Sequence, residues 1–96
     1  MSPLFAVAQL CAVARLSWQM LLDAAERAGA SDERIEAVEF AAEVALDAWR
    51  DALELVEAGD LAGAKRELLE ARWQAANWGD AQPERQALAA LMQSAS

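Results

Sequence analysis

Histidine and tyrosine are absent from this chain of 96 residues, cysteine occurs once, proline twice and glycine four times. Without histidine, imidazole general acid–base chemistry and serine–histidine nucleophilic triads are excluded. Zinc and other transition metals also lose their usual ligand set. The single thiol, Cys11, cannot close an intramolecular disulfide and fits a reducing compartment, so a cytoplasmic protein is expected. Few β-branched residues and few turn formers argue against sheet. Positive charge is scarce as well: 8 basic residues face 16 acidic ones, a net charge of −8. That sign disfavours direct binding to nucleic acid.

Long apolar runs are limited to the N-terminus. Leu4–Ala14 is almost wholly apolar, but no basic residue precedes it as a secretory signal would require. Gln9 and Arg15 interrupt it short of the ~20 residues that a membrane span needs. The expectation is a retained helix and no membrane.

What is abundant is alanine, 25 residues of the 96. Alanine is the strongest helix former and buries little area, which points to long helices packed at close range. The punctuation agrees. Ser2-Pro3 opens a helix, Gly29 closes it, Ser31-Asp32 caps the next, Gly59-Asp60 repeats the stop and restart, and Gly79-Asp80 ends a third. Gln82-Pro83 starts a short fourth helix, and residues 94–96 are expected to fray. The spacing predicts helices at about 3–28, 32–58, 61–78 and 83–93.

Apolar residues recur at alternating three and four within the first three segments. The first carries Leu4, Val7, Cys11, Ala14, Trp18, Leu21, Ala25 and Ala28; the second Ile35, Val38, Ala42, Ala45, Trp49, Ala52 and Val56; the third Leu61, Ala64, Leu68, Ala71, Ala75 and Trp78. This predicts one all-α domain, an up-down antiparallel bundle of three main helices with a short fourth. The first two helices are expected to form a hairpin that the third covers. Residues 53–71 resemble the turn and second helix of a tetratricopeptide repeat, through Gly59, Asp60, Leu61, Ala64, Leu68 and Ala71. No second repeat accompanies it, and such arrays bury a continuous face only with about three or more repeats. The resemblance implies a well-formed helical turn and no function.

Three features exceed what a bundle needs. First, helix 1 carries apolar residues beside its inner stripe, and Leu10, Val13, Leu16 and Met20 are expected to meet a second copy of the chain. Second, Phe40 lies in the middle of the polar face of helix 2, and Trp73 lies on the polar face of helix 3. Large aromatics there mark partner contacts, although Leu88, Leu91 and Met92 of helix 4 are placed to cover Trp73. Third, residues 32–57 hold nine acids against Arg34 and Arg50, a balance of −7. Glu36, Glu39, Glu43 and Asp47 form a negative stripe around Phe40, suited to a basic protein surface. The same stripe suits a nucleic-acid mimic of the kind phage inhibitors use, blocking the basic site of a nucleic-acid-binding protein.

The acids also admit an enzyme reading. Segment 32–36, DERIE, resembles the EExxE magnesium motif of all-α nucleotide pyrophosphohydrolases, which implies Mg-dependent phosphate chemistry. It departs at the first acid, and the second motif, ExxD, is missing because Glu43 and Asp47 are one residue too far apart. The expectation is therefore no catalysis and no cofactor. The sequence reads as a small acidic helical protein-binding module, an adaptor or inhibitor that forms a homodimer. The remaining tryptophans are expected inside, their indole N–H groups meeting Gln19, Gln74 or Asn77.

Overall fold

The structure, a computed structural model, describes residues 2–95. They form four helices and no strand: α1 (Pro3–Arg27), α2 (Asp32–Glu57), α3 (Leu61–Trp78) and α4 (Gln82–Ala95). Local chemistry sets the ends. The Ser2, Ser31 and Asp60 side chains accept hydrogen bonds from the backbone N–H groups of Phe5, Arg34 and Gly63, at 3.2, 3.2 and 2.9 Å. Each satisfies one of the donors left open in a first helical turn.

The closures of α1 and α2 are the same motif twice. Gly29 and Gly59 adopt φ of 73° and 86°, the left-handed region that costs other residues steric strain. At the first stop the Ala30 N–H donates to the Ala25 carbonyl and the Gly29 N–H to Glu26. At the second, Asp60 donates to Leu55 and Gly59 to Val56. This paired pattern satisfies the last carbonyls and ends each helix within a few residues. α4 continues as helix to Ala95 where fraying was expected from residue 94; Ser96 lies outside the described residues.

The helices pack in a cycle. α2 contacts α1 and α3, and α4 contacts α3 and α1, while the backbones of the diagonal pairs stay apart among the described residues. This corrects the expectation that α3 covers the α1–α2 hairpin: α3 lies against α2 alone of those two, and α4 takes the seat beside α1. The inner stripes meet at the centre. Ala52, Ala64, Ala71 and Ala87 are fully buried between Val7, Trp49, Leu68 and Leu91. Small residues at the contacts permit this close approach, and Trp18, Val38 and Ala75 extend the packing in a second cluster.

The molecule is 46 Å long and only 16–19 Å across. A bundle two helices wide leaves each helix an outward side that nothing in the chain covers. For α1 the consequence is pronounced. By length and mean hydropathy alone, 1.4 over 18 residues, it matches a helix able to cross a membrane, with Gln9 and Arg15 inside the helix. Only 22% of that window is buried.

Candidate functional site

The outward side of α1 is built from residues that share one helical azimuth. Phe5, Val13, Leu16 and Met20 are all exposed, the last two at 61% and 62%. Successive members are separated by 8, 3 and 4 residues, which returns each to nearly the same face. Leu10 does not belong with them. It is half-buried and packs against the core cluster that includes Val7 and Ala14, so it has less surface to offer a second copy than Val13, Leu16 and Met20. Phe5 takes its place. Its signal was present in the sequence, because Phe5 stands eleven residues, three turns, before Leu16.

On α2, Glu36, Glu39, Glu43 and Asp47 are exposed, and Phe40 projects among them at 68% exposure. Asp47 pairs with Arg50 at 3.3 Å, but both side chains are largely solvated and the pair is worth little. Glu36, Glu39 and Glu43 have no cation partner among the described residues. No group of three or more acidic, histidine or cysteine side chains among those residues is placed to hold a metal ion. Arg34, at the start of the helix, instead lies over the Trp78 ring, 4.8 Å from its centroid. That contact is a cation–π interaction that ties α2 to the end of α3.

Trp73 on α3 is 60% exposed, with exposed Leu69 one turn before it. The cover expected from α4 does not form, because α4 is rotated otherwise. Leu91 is fully buried in the core, Leu88 packs against it, and Met92 faces outward. The structure therefore brings Phe40 together with the acids of α2, and keeps Val13, Leu16 and Met20 together on α1. Trp73 stands on a third helix.

One functional-looking group escaped the sequence reading. Glu84, in the first turn of α4, is the one charged residue buried among those described, at 1% exposure. Its Oε2 accepts a hydrogen bond from the Trp49 indole N–H at 3.0 Å, across the bundle from α2. The partner of the Trp49 indole is thus a carboxyl group rather than the amides of Gln19, Gln74 or Asn77; Gln19 and Gln74 instead donate to Asp23 and Glu70 on their own helices. Oε1 has no hydrogen-bond partner, and a buried group so deprived costs on the order of 1–3 kcal/mol. A signal for this did exist. The apolar series Ala87, Leu88 and Leu91, carried one turn back, lands on Glu84.

Burial raises the Glu84 carboxyl above its ordinary pKa of 4.5, and nearby Asp80 adds to the rise. The Trp49 indole, the residue's own backbone N–H and Arg85 oppose it. The sign follows from proton counting. The folded chain holds this proton more tightly than the unfolded chain, so the stability tied to it is complete below 4.5 and is lost as pH rises through the folded value. Glu84→Gln removes the titration while an amide oxygen can still accept from Trp49. Its melting temperature relative to wild type is therefore expected to climb between acidic and neutral pH, read by circular dichroism. A difference that stays flat with pH would show a carboxyl with no altered titration. Burial likewise raises the Cys11 thiol, against the influence of Arg15, which leaves it a protonated core residue rather than a nucleophile.

Beside Glu84 lies a cleft of about 300 Å³ between α1, the end of α3 and the start of α4. Its walls are mainly apolar, from Ala14, Trp18, Leu21, Ala75 and Pro83, with Met20 at the edge. A shallower, open groove between α1 and α2 is bounded by Cys11, Arg15, Leu16 and Leu53. The chain is thus an all-helical protein with exposed apolar and acidic faces and one polar group sealed inside. Comparison with known protein families, characterised proteins and solved structures finds no match.

Proposed function

We propose that the protein is a protein-binding module, an adaptor or inhibitor, that works as a homodimer. The reading rests on one observation: Phe5, Val13, Leu16, Met20 and Phe40 remain exposed although the chain has a filled core of its own. Large apolar side chains grouped on one face of a small domain mark an interface. The fold that presents them is an up-down antiparallel bundle, three main helices and a shorter fourth, since the links at 28–31 and 58–60 are too short to do other than reverse the chain. In this scheme α1 meets its copy, and α2 offers Phe40 within Glu36, Glu39, Glu43 and Asp47 to a partner with a basic surface. An aromatic anchor ringed by charge combines a binding hot spot with steering.

The test compares wild type with Phe40→Ala and Glu43→Lys as immobilised baits. A partner held by wild type is expected to bind Phe40→Ala about 30-fold more weakly, the size of a hot-spot truncation. Glu43→Lys is expected to weaken binding most at low salt. Both variants keep the wild-type melting temperature within a few degrees, because neither side chain is packed. Undiminished binding by Phe40→Ala would remove this face from the reading.

The unpaired state of Glu36, Glu39 and Glu43 favours a second reading, a nucleic-acid mimic acting through the same face. It predicts that the bound partner releases DNA or RNA in proportion to the protein added. A partner that holds both at once excludes it.

A further inference from the structure

We propose that the cleft between α1, the end of α3 and the start of α4 binds a small organic ammonium ion, its apolar body against Trp18 and Pro83 and its N–H group donating to Glu84 Oε1. This inference is independent of the protein-binding reading. Three observations converge on it.

The first is the cavity. About 300 Å³ is the lower end of the range that small-molecule sites occupy, and its walls are apolar with few polar groups, as such sites are. The second is the unsatisfied atom. Glu84 contributes to the wall, is 1% exposed, and its Oε1 is the one buried side-chain polar atom among the described residues without a hydrogen bond. Oε2 is already held by Trp49, which fixes the carboxyl and leaves Oε1 as an unused acceptor. A donor supplied by a ligand completes the group, where an apolar ligand would leave it unmet.

The third observation is the sign of the charge. No lysine or arginine lines the cleft, whereas Asp80 and Glu84 both do. Arg85 is drawn to Asp80 on an exposed site, at 3.6 Å, and does not line the cleft. An anionic ligand would therefore meet two carboxyl groups with no cation in the wall, and a cation meets complementary ones. The Trp18 ring in the wall adds a face of the kind that attracts ammonium groups. Trp49 and Glu84 are joined, so occupancy of the cleft must be felt at the Trp49 indole.

Binding has a pH dependence. The groups that face Glu84 are the Cys11 thiol from α1, the Trp49 indole from α2, and Asp80 and Arg85 at the start of α4; the α3 wall is Ala75. The charge-assisted bond requires the Glu84 carboxylate, whose proton is held by burial in the empty protein. Affinity for the ammonium ion therefore rises from acid to neutral pH as that proton is released.

The experiment titrates the full chain with phenethylamine, in its ammonium form, and follows the tryptophan indole resonances by NMR. Toluene and phenylpropionate serve as the neutral and anionic counterparts. The expected result is a saturable shift of the Trp49 indole with phenethylammonium alone. Glu84→Gln should weaken it about tenfold to a hundredfold and flatten its pH dependence. Ser17→Phe, at an exposed position on the cleft wall, should abolish binding without disturbing the fold. Three outcomes overturn the proposal: no saturable shift at millimolar ligand, equal binding of toluene or phenylpropionate, or wild-type affinity in Ser17→Phe. If Glu84→Gln fails to fold, the Ser17→Phe arm and the two counterpart ligands still decide.

Discussion

Trp49→Ala is expected to destabilise the protein by about 3–5 kcal/mol, measured by urea denaturation followed through helical ellipticity. A domain of this length has a total stability of roughly 5–14 kcal/mol, so this one change approaches the point of unfolding. Two losses add. Trp49 is fully buried at the centre of the main core cluster, where neighbouring alanines cannot expand to refill the space. Its indole N–H is also the one side-chain hydrogen-bond partner of Glu84 among the described residues, so truncation removes it from a carboxyl in the interior. Trp49→Phe separates the two, since it keeps most of the volume and loses the hydrogen bond, and an intermediate cost follows. Pairing Trp49→Phe with Glu84→Met should recover part of that cost, because two apolar groups replace a half-satisfied polar pair. If Trp49→Ala lies within about 1 kcal/mol of wild type, the indole is not the centre of the core.

Leu16→Glu combined with Met20→Glu is expected to dissociate the proposed homodimer with little change in the fold. Each side chain is about three-fifths exposed in the single chain, so each has that fraction of its apolar surface to gain from a partner. At about 1.5–3 kcal/mol for complete burial, the four side chains that meet in the dimer, two from each copy, contribute roughly 4–7 kcal/mol to association. That is on the order of a thousandfold or greater rise in dissociation constant. Placing four charges across the contact, two from each copy, adds repulsion to the lost area. Sedimentation equilibrium reads the effect. The wild type should also melt at a temperature that rises with protein concentration, as folding linked to association must, and the variant should not. A wild-type chain that stays monomeric at micromolar concentration and above would dispose of the dimer. Co-sedimentation of the wild type with neutral vesicles, lost in the double variant, would instead assign the α1 face to a bilayer, a role its length and mean hydropathy permit.

Most of the secondary structure was legible residue by residue. The ends fell within one or two residues of expectation, since serine and aspartate caps and the glycine stops act through bonds to backbone groups three to five positions away. The inward stripes were legible for a similar reason: a period of 3.6 residues turns Val7, Cys11, Ala14 and Trp18 to one side whatever they meet there. The exposure of Phe40 and Trp73 could be read in the same way, as apolar residues among polar neighbours on one face.

Failures came where the answer depended on how one helix is rotated against another. Leu10 and Val13 stand only three residues apart on α1, yet the first packs on the core and the second does not. The line between them is drawn by how far α2 and α4 reach around the helix. Whether Leu88, Leu91 and Met92 would cover Trp73 was open for the same reason: that Leu91 turns inward is a matter of the orientation of α4, which no pattern within α3 contains.

The sequence by itself determined that this chain is helical, where its helices start and stop, which face of each turns inward, and that its charge gathers on α2. Each of these follows from interactions within a few residues. Only the tertiary structure decided that α4 rather than α3 lies beside α1, and that Glu84 is sealed beneath Trp49, 35 residues away in the chain. The pairing of a buried carboxyl with an indole is set by the distance and rotation between packed helices, and those emerge when the whole core closes.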